Sequence, residues 1–340
     1  MREKSTLIDI LPMEFRTKVG LQRGEDEIRH SDCLMLWGSC FAENVGRKLL
    51  DHKFDCDINP FGILYNPLSI AEGLSQLRRG KIYTEEDLRH DRGVWYSLMH
   101  HGSFSSASKE DCLAVINSRL RTGKKYLERA DWLLFTWGTA WVYEWKEDGR
   151  VVGNCHKLSE RMFSRRLLEV GDIESVYIPL LSELYAANPR LNVLFTVSPI
   201  RHIRDGMHGN QLSKSTLLLA VSHLCRRFPF CHYFPSYEIM MDELRDYRFY
   251  ADDMLHPTPL AVDYIWECFS EVFFSPATCR VMKQWEEIRK GLSHRPFDAE
   301  SAAYRSFLSQ ILLKIEELKK KFPYLDVRKE VELCQAQLKK

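Results

Sequence analysis

Two short stretches, far apart in the chain, hold residues able to do nucleophilic chemistry. The first is Gly38-Ser39-Cys40 within CLMLWGSCFAENVG, residues 33–46, where a hydroxyl and a thiol stand side by side at the end of an apolar run. The second is DDMLHP, where Asp253 and His256 are three positions apart. In a turn or a first helical turn, that spacing lets both side chains point the same way. A carboxylate beside an imidazole fixes its tautomer and favours the imidazolium, as a general base needs. A thiol or hydroxyl served by such a base attacks esters and thioesters and passes the acyl group to water or another acceptor. Each residue also has a plain structural alternative. Cys40 reads as a packed small apolar side chain, Ser39 as a helix N-cap, and His256 as a cap on its own loop; Asp252 is a local rival to Asp253.

The elements that must carry these residues follow from periodicity. CLMLW suits a strand buried on both faces. After Gly38, FAENVGRKLLDHKF has a helical period through Val45, Leu49 and Leu50. DINPFGILYNPLSI is rich in Asn, Pro and Gly and reads as a loop. PLSIAEGLSQLRRG follows as a helix, with Pro67 in its first turn and Gly80 at its stop. GVWYSLMHHGSFS is aromatic and β-like, and SKEDCLAVINSRLRTGKKYLERA is an amphipathic helix with Ser108 as N-cap. DWLLFTWGTAWVYEW is one more apolar run, interrupted by Gly138. RLNVLFTV is a third strand and CHYF begins a fourth strand region, with helices IESVYIPLLSELYAANP and SKSTLLLAVSHLCRRFP before and between them.

Short apolar strands thus alternate with amphipathic helices from about residue 30 to 275. That order predicts an α/β fold, a parallel sheet with helices on both faces. Ligands of such sheets bind beyond the carboxyl ends of the strands. Gly38-Ser39-Cys40, Gly138-Thr139-Ala140, the Ser198–His202 segment and the Asp252–His256 loop should therefore meet on one rim. Residues 276–340 have no strand pattern. They carry helical periodicity and dense mixed charge, and form an extension of two or three helices packed on the core or on a second copy of the chain. The expected division is 1–275 and 276–340, with homo-oligomerisation through the helical part.

Composition narrows the function classes. Of the 340 residues, 45% are hydrophobic and 28% charged, as in ordinary globular proteins. A formal net charge of +1 gives no field that favours nucleic acid or an anionic membrane. The opening MREKSTLIDILPMEF has no apolar run long enough for a secretory signal, and no stretch reaches the length of a membrane-spanning helix. The ten cysteines form no CxxC pair and no recurring Cys/His spacing, so they read as reduced thiols of a cytoplasmic protein, with no metal site and no cofactor. Trp132, Trp137, Trp141 and Trp145 read as core and pocket wall.

The blocks GSCFA, NPFGILYNP, HGSFS, WGTAWVY, GNCHK, SPIRHIRDG, NQLSKS and YADDMLHP resemble those of the GSCFA-domain family over about residues 15–270. That family is in turn similar to the SGNH (GDSL-type) hydrolases, a flavodoxin-like α/β/α fold of esterases and acetylesterases. The resemblance implies an acyl-ester substrate, a small molecule or a glycan, with acetyl as the guess. Laid over the first block, Cys40 takes the place of the nucleophilic serine, with Ser39 as the alternative. Asp253 and His256 fall on the last block as orienting acid and base. Gly62 falls on the oxyanion glycine. In the third block, Gly138 matches the glycine, but Ala140 stands where the family's asparagine donates to the oxyanion. Asn66, Asn154 and Arg201 are the candidates to supply that donor. His156 either touches substrate or ties its loop down, and Arg201, His202 and His208 form a basic loop suited to an anion. A thiol at a helix start near a histidine is expected to have a lowered pKa. A binding or regulatory module on the same fold is the alternative to an enzyme.

Overall fold

The computed structural model describes residues 16–294, 296–298 and 301–338. Five parallel strands make the central sheet: β1 (Cys33–Gly38), β2 (Asp55–Ile58), β5 (Trp132–Trp137), β8 (Asn192–Val197) and β9 (Cys231–Phe234). They run in the order β2-β1-β5-β8-β9. Counted within this sheet alone, that is 2-1-3-4-5, the flavodoxin-like order, with its switch point between β1 and β5. Four further strands pair outside it in two antiparallel pairs: β3 (Arg89–Asp91) with β4 (Val94–Tyr96), and β6 (Trp141–Trp145) with β7 (Phe163–Leu167).

Alternate side chains of each strand go to opposite faces. Met35 and Trp37 of β1, Leu133 and Phe135 of β5 and Val193 and Phe195 of β8 pack in one core. The helices over it are α2 (Pro67–Arg79), α3 (Lys109–Arg129), α4 (Val170–Ala187) and α5 (Gly206–Arg227). Leu34 and Leu36, Trp132 and Leu134, and Leu194 face the other way. There α1 (Cys40–Asp51) and α7 (Pro259–Phe273) close the third layer. A short α6 (Ser236–Glu238), widening into a π turn over Ile239–Glu243, links β9 towards α7.

The apolar run at 132–145 is two strands, not one. β5 ends at Trp137, and β6 leaves the sheet to pair with β7. The first two residues of the expected loop, Asp57 and Ile58, instead end the edge strand β2. Its two carboxylates are matched from α3: Asp57 by Arg119 at 2.8 Å, and Asp55 by Arg129.

After Ser275 the chain enters α8 (Pro276–Ser293), α9 (Ala302–Lys321) and α10 (Arg328–Leu338). These helices bury a core of their own around Trp285, Ile311 and Ile315. They seat on the end of α1, where the indole of Trp285 donates to the Asp51 carbonyl at 2.8 Å and Lys53 pairs with Glu330 at 2.6 Å. No helix among the described residues is long and apolar enough to cross a membrane.

Candidate active site

At the end of β1 the backbone turns sharply at Gly38, with φ of +140°. A Cβ there would lie 2.2 Å from the Thr136 carbonyl oxygen of the neighbouring strand, so only glycine passes. Its N–H donates to Asn59 Oδ1 at 2.8 Å. Ser39 is the N-cap of α1: its Oγ accepts the Phe41 N–H at 3.2 Å and donates to Ser198 Oγ at 3.2 Å. The hydroxyl is fully buried and committed to structure, as the capping alternative expected. Cys40 begins the helix and is half-buried. Its N–H, in the first turn, has no intrahelical acceptor.

The acid–base pair sits on the loop before α7. Asp253 Oδ1 accepts the N–H groups of Leu255 and His256, each at 2.9 Å, and Oδ2 accepts His256 Nδ1 at 2.5 Å. Asp253, not Asp252, reaches the ring. Those two backbone donors, His256 first, and then the imidazole hold the Asp253 carboxyl down at about 2. The loop is pinned at both ends, by Ala251 N–H to the His256 carbonyl at 2.8 Å and by Thr258 N–H to the Phe249 carbonyl at 2.9 Å. His256 Nε2 has no hydrogen-bond partner among the described residues.

A cavity of about 510 Å³ brings the two stretches together at the carboxyl rim of the sheet. Ser39, Cys40 and His256 all line it, with Asn66, Asn154, Arg201 and His202. Its far wall is the β6–β7 hairpin, through Trp141, Tyr143 and Arg165. Of the four tryptophans singled out above, Trp141 is pocket wall and the other three are core. Neither Ser39 nor Cys40 is hydrogen-bonded to His256 in this resting state.

Burial raises the Cys40 thiol above its ordinary range, and the Glu43 and Asp253 carboxylates add to it; the N–H groups of Cys40 and Phe41 oppose them without prevailing. The lowered pKa expected of a helix start is therefore overturned: desolvation of the thiolate outweighs the amide dipoles. The half-buried His202 is pulled down to about 4 by desolvation and then by the nearby Lys214 and His256 charges. Its Nε2 is buried without a partner.

Gly62, Gly138 and His156 are not among the residues that line the cavity. Gly62 donates its N–H to the Asn59 carbonyl at 2.7 Å, so the expected oxyanion donor is already used in a local turn. Gly138 is a backbone junction whose N–H goes to the Tyr65 carbonyl at 2.8 Å. His156 ties its loop down: Nε2 bonds the Ser97 carbonyl at 2.9 Å, and the ring packs on Tyr96. Asn66 and Asn154 do face the cavity. Their carboxamide oxygens accept the N–H of Ser69 and of His156, each at 2.8 Å. Their Nδ2 groups have no partner among the described residues.

Sequence reasoning missed the group beneath the rim. Lys214 of α5 is fully buried and donates to the carbonyls of Gly138 and Ser198, both at 2.7 Å, with its ammonium over the Tyr237 ring. Beside it, Ser213 Oγ accepts the Ala140 N–H at 2.7 Å. The signal was the pair of polar residues in NQLSKS on a helix otherwise read by its apolar period. Among the described residues no group of three or more His, Cys, Asp or Glu is placed to hold a metal ion.

Fold and site together define a three-layer α/β/α protein whose carboxyl rim joins a strand-to-helix Ser-Cys turn to an Asp–His loop. The chain belongs to the GSCFA family, whose model matches residues 33–269. The C-terminal helices, outside the blocks quoted above, match a second model, the GSCFA domain protein C-terminal domain, over residues 285–340. No curated protein matches the chain, and no solved structure matches it.

Proposed function

We propose that this chain is an SGNH-like esterase or acyl transferase acting on an acyl ester, with acetyl on a small molecule or glycan as the first substrate to try. One observation carries this: an imidazole held at Nδ1 by a carboxylate, with Nε2 unpartnered, lines the same cavity as a thiol. Cys40 is the nucleophile. Ser39 is the weaker alternative, because its oxygen already caps α1 and bonds Ser198.

Since the thiol resists ionisation, the proton leaves as the bond forms. His256 Nε2 takes the Sγ proton while Sγ attacks the ester carbonyl carbon. The oxyanion is met by the Cys40 N–H and by Asn66 Nδ2, which replaces the asparagine missing at Ala140. The tetrahedral adduct collapses to a thioester, and the alkoxide leaves with the proton from His256. Water or an acceptor alcohol, deprotonated by the same imidazole, then releases the acyl group. Asp253 stabilises the imidazolium in both steps. Ten unpaired thiols fit a reducing compartment, and we assign the protein to the cytoplasm, with self-association through the C-terminal helices to be read from the mass of the full chain in solution.

Hydrolysis of p-nitrophenyl acetate and butyrate by the wild type, Cys40→Ala, Ser39→Ala and His256→Ala tests the assignment. Cys40→Ala and His256→Ala should abolish turnover. Equal rates in all four proteins would sink it. A binding module on the same fold is the second reading. The Ala140 N–H is taken by Ser213 Oγ, so it is not available to the cavity as an oxyanion donor. Saturable ligand binding without turnover would favour that reading.

A further inference from the structure

The cavity is lined by one cation that has no carboxylate partner among the described residues. Three arginines line it. Arg165 is held in a two-pronged pair by Asp205, and Arg204 is paired with Glu160. Arg201 has no carboxylate within ion-pair distance among the described residues. Its Nη2 meets only the Met241 thioether at 2.8 Å, and its guanidinium lies 5.6 Å from the Tyr250 ring centre. A thioether is a weak acceptor for a group with five N–H donors. The unused amide groups on the lining are donors as well. The oxygens of Asn66 and Asn154 are taken by backbone N–H groups, and their Nδ2 donors are free. Among the described residues the only carboxylate on the lining, Asp205, is committed to Arg165. A half-buried guanidinium fork beside free amide donors, with the lining carboxylate already used, is complementary to a ligand that brings paired anionic oxygens.

We propose that Arg201 forms an anion subsite of this cavity, so that the acyl ester it accepts carries a carboxylate or phosphate held by the Arg201 fork while its carbonyl reaches Cys40. The assignment rests on the esterase reading for the word substrate, but not for the binding itself. The anion fixes the ligand's orientation, and the neutral part of the ligand lies against Trp141 and Tyr65.

Calorimetric titration with inorganic phosphate and, separately, succinate tests the subsite at constant ionic strength set by potassium chloride. The proteins are the wild type, Arg201→Gln, Arg201→Lys and His256→Ala. Wild type and His256→Ala should bind at least one of the two anions. Arg201→Gln should weaken that binding by about tenfold or more, the worth of one charge-assisted hydrogen bond, with Arg201→Lys in between. The same anion should inhibit p-nitrophenyl acetate hydrolysis competitively. The phosphate and succinate arms separate the two anion types. No binding of either anion, or equal binding by Arg201→Gln, overturns the subsite. Arg201-dependent binding in a protein with no esterase activity would retain the subsite and remove only the hydrolase reading. Ester hydrolysis without anion binding would do the reverse.

Discussion

The ammonium of Lys214 donates to the carbonyl oxygen of Gly138, and by a second proton to that of Ser198, each at 2.7 Å. These oxygens lie just past the ends of β5 and β8, so one side chain of α5 clamps two of the loops that shape the cavity. Burial pulls the Lys214 pKa down to about 7, while the two carbonyls and the Tyr237 face give the charged form its partners. Lys214→Met keeps most of the volume and leaves both carbonyls without a donor, at about 1–3 kcal/mol for each buried group left unsatisfied. The loss is offset in part by the desolvation cost of the ammonium, which disappears with it. A lower melting temperature and a lower kcat are expected. Unaltered values of both would show that the clamp is idle.

The same lysine gives a pH dependence of defined sign. Between about pH 7 and the ordinary value of 10.5, the unfolded chain holds this proton more tightly than the folded one. Stability should therefore rise with pH through that window on account of Lys214, and stay flat below it. Buried thiols with raised pKa values act oppositely above pH 9, so the comparison is wild type minus Lys214→Met over pH 7–9, by urea unfolding. That difference should shrink as the pH falls from 9 towards 7; a difference that does not would contradict the lowered pKa of the buried lysine.

Asp253→Asn should separate orientation from folding. The asparagine oxygen can still accept the Leu255 and His256 N–H groups, so the loop should hold and the melting temperature change little. What is lost is the carboxylate at Nδ1, and kcat should fall by about 10²–10⁴ with little change in KM. Because the carboxyl is held at about 2, Asp253 is ionised from pH 4 upward and contributes nothing to the acid limb of the wild-type rate profile. A wild-type acid limb that persists in Asp253→Asn fits; its loss in the variant would assign that limb to this carboxyl.

Cys40 should rest as a thiol and alkylate only through the fraction that ionises as the pH rises. Its pKa lies above the ordinary value because burial disfavours the charge. Labelling of Cys40 by iodoacetamide, followed by peptide mass, should accelerate steadily through pH 9. A plateau below pH 7 would reveal a resting thiolate–imidazolium pair and a mechanism unlike the concerted one proposed.

Much of this architecture was legible because its strands are pure in type. CLMLW, DWLLFTW and NVLFTV are apolar through most of their length, as strands covered on both faces are, and the helices between them keep a clean period. The edge strand β2 was not legible. DCDI has two aspartates in four residues, and what makes them tolerable is Arg119 and Arg129, some seventy positions later. The site divided the same way. The Ser-Cys turn and the Asp–His loop were found by residue type and by their place in the α/β order. Lys214 was not, because a lysine on a helix reads as solvated until the carbonyls that receive it are known. The sign of the Cys40 shift was also out of reach, since it turns on burial against dipoles, and sequence reports only the dipoles.

Gly38→Ala tests the turn on which the cavity depends. The added Cβ would sit 2.2 Å from the Thr136 oxygen and 2.9 Å from the Thr136 carbonyl carbon, both backbone atoms of a central strand that has no room to retreat. The φ of +140° is itself unfavourable for a residue with a side chain. Strain of about 1–3 kcal/mol from the dihedral alone, together with overpacking of similar size, should lower the unfolding midpoint in urea sharply or prevent folding. If the variant folds, relief requires β1 and β5 to part at their ends, which moves Cys40 away from the His256 loop. Loss of turnover should then accompany whatever stability remains. A variant with wild-type midpoint and rate would mean that the turn has a second conformation and that the Cys40 position does not hang on Gly38.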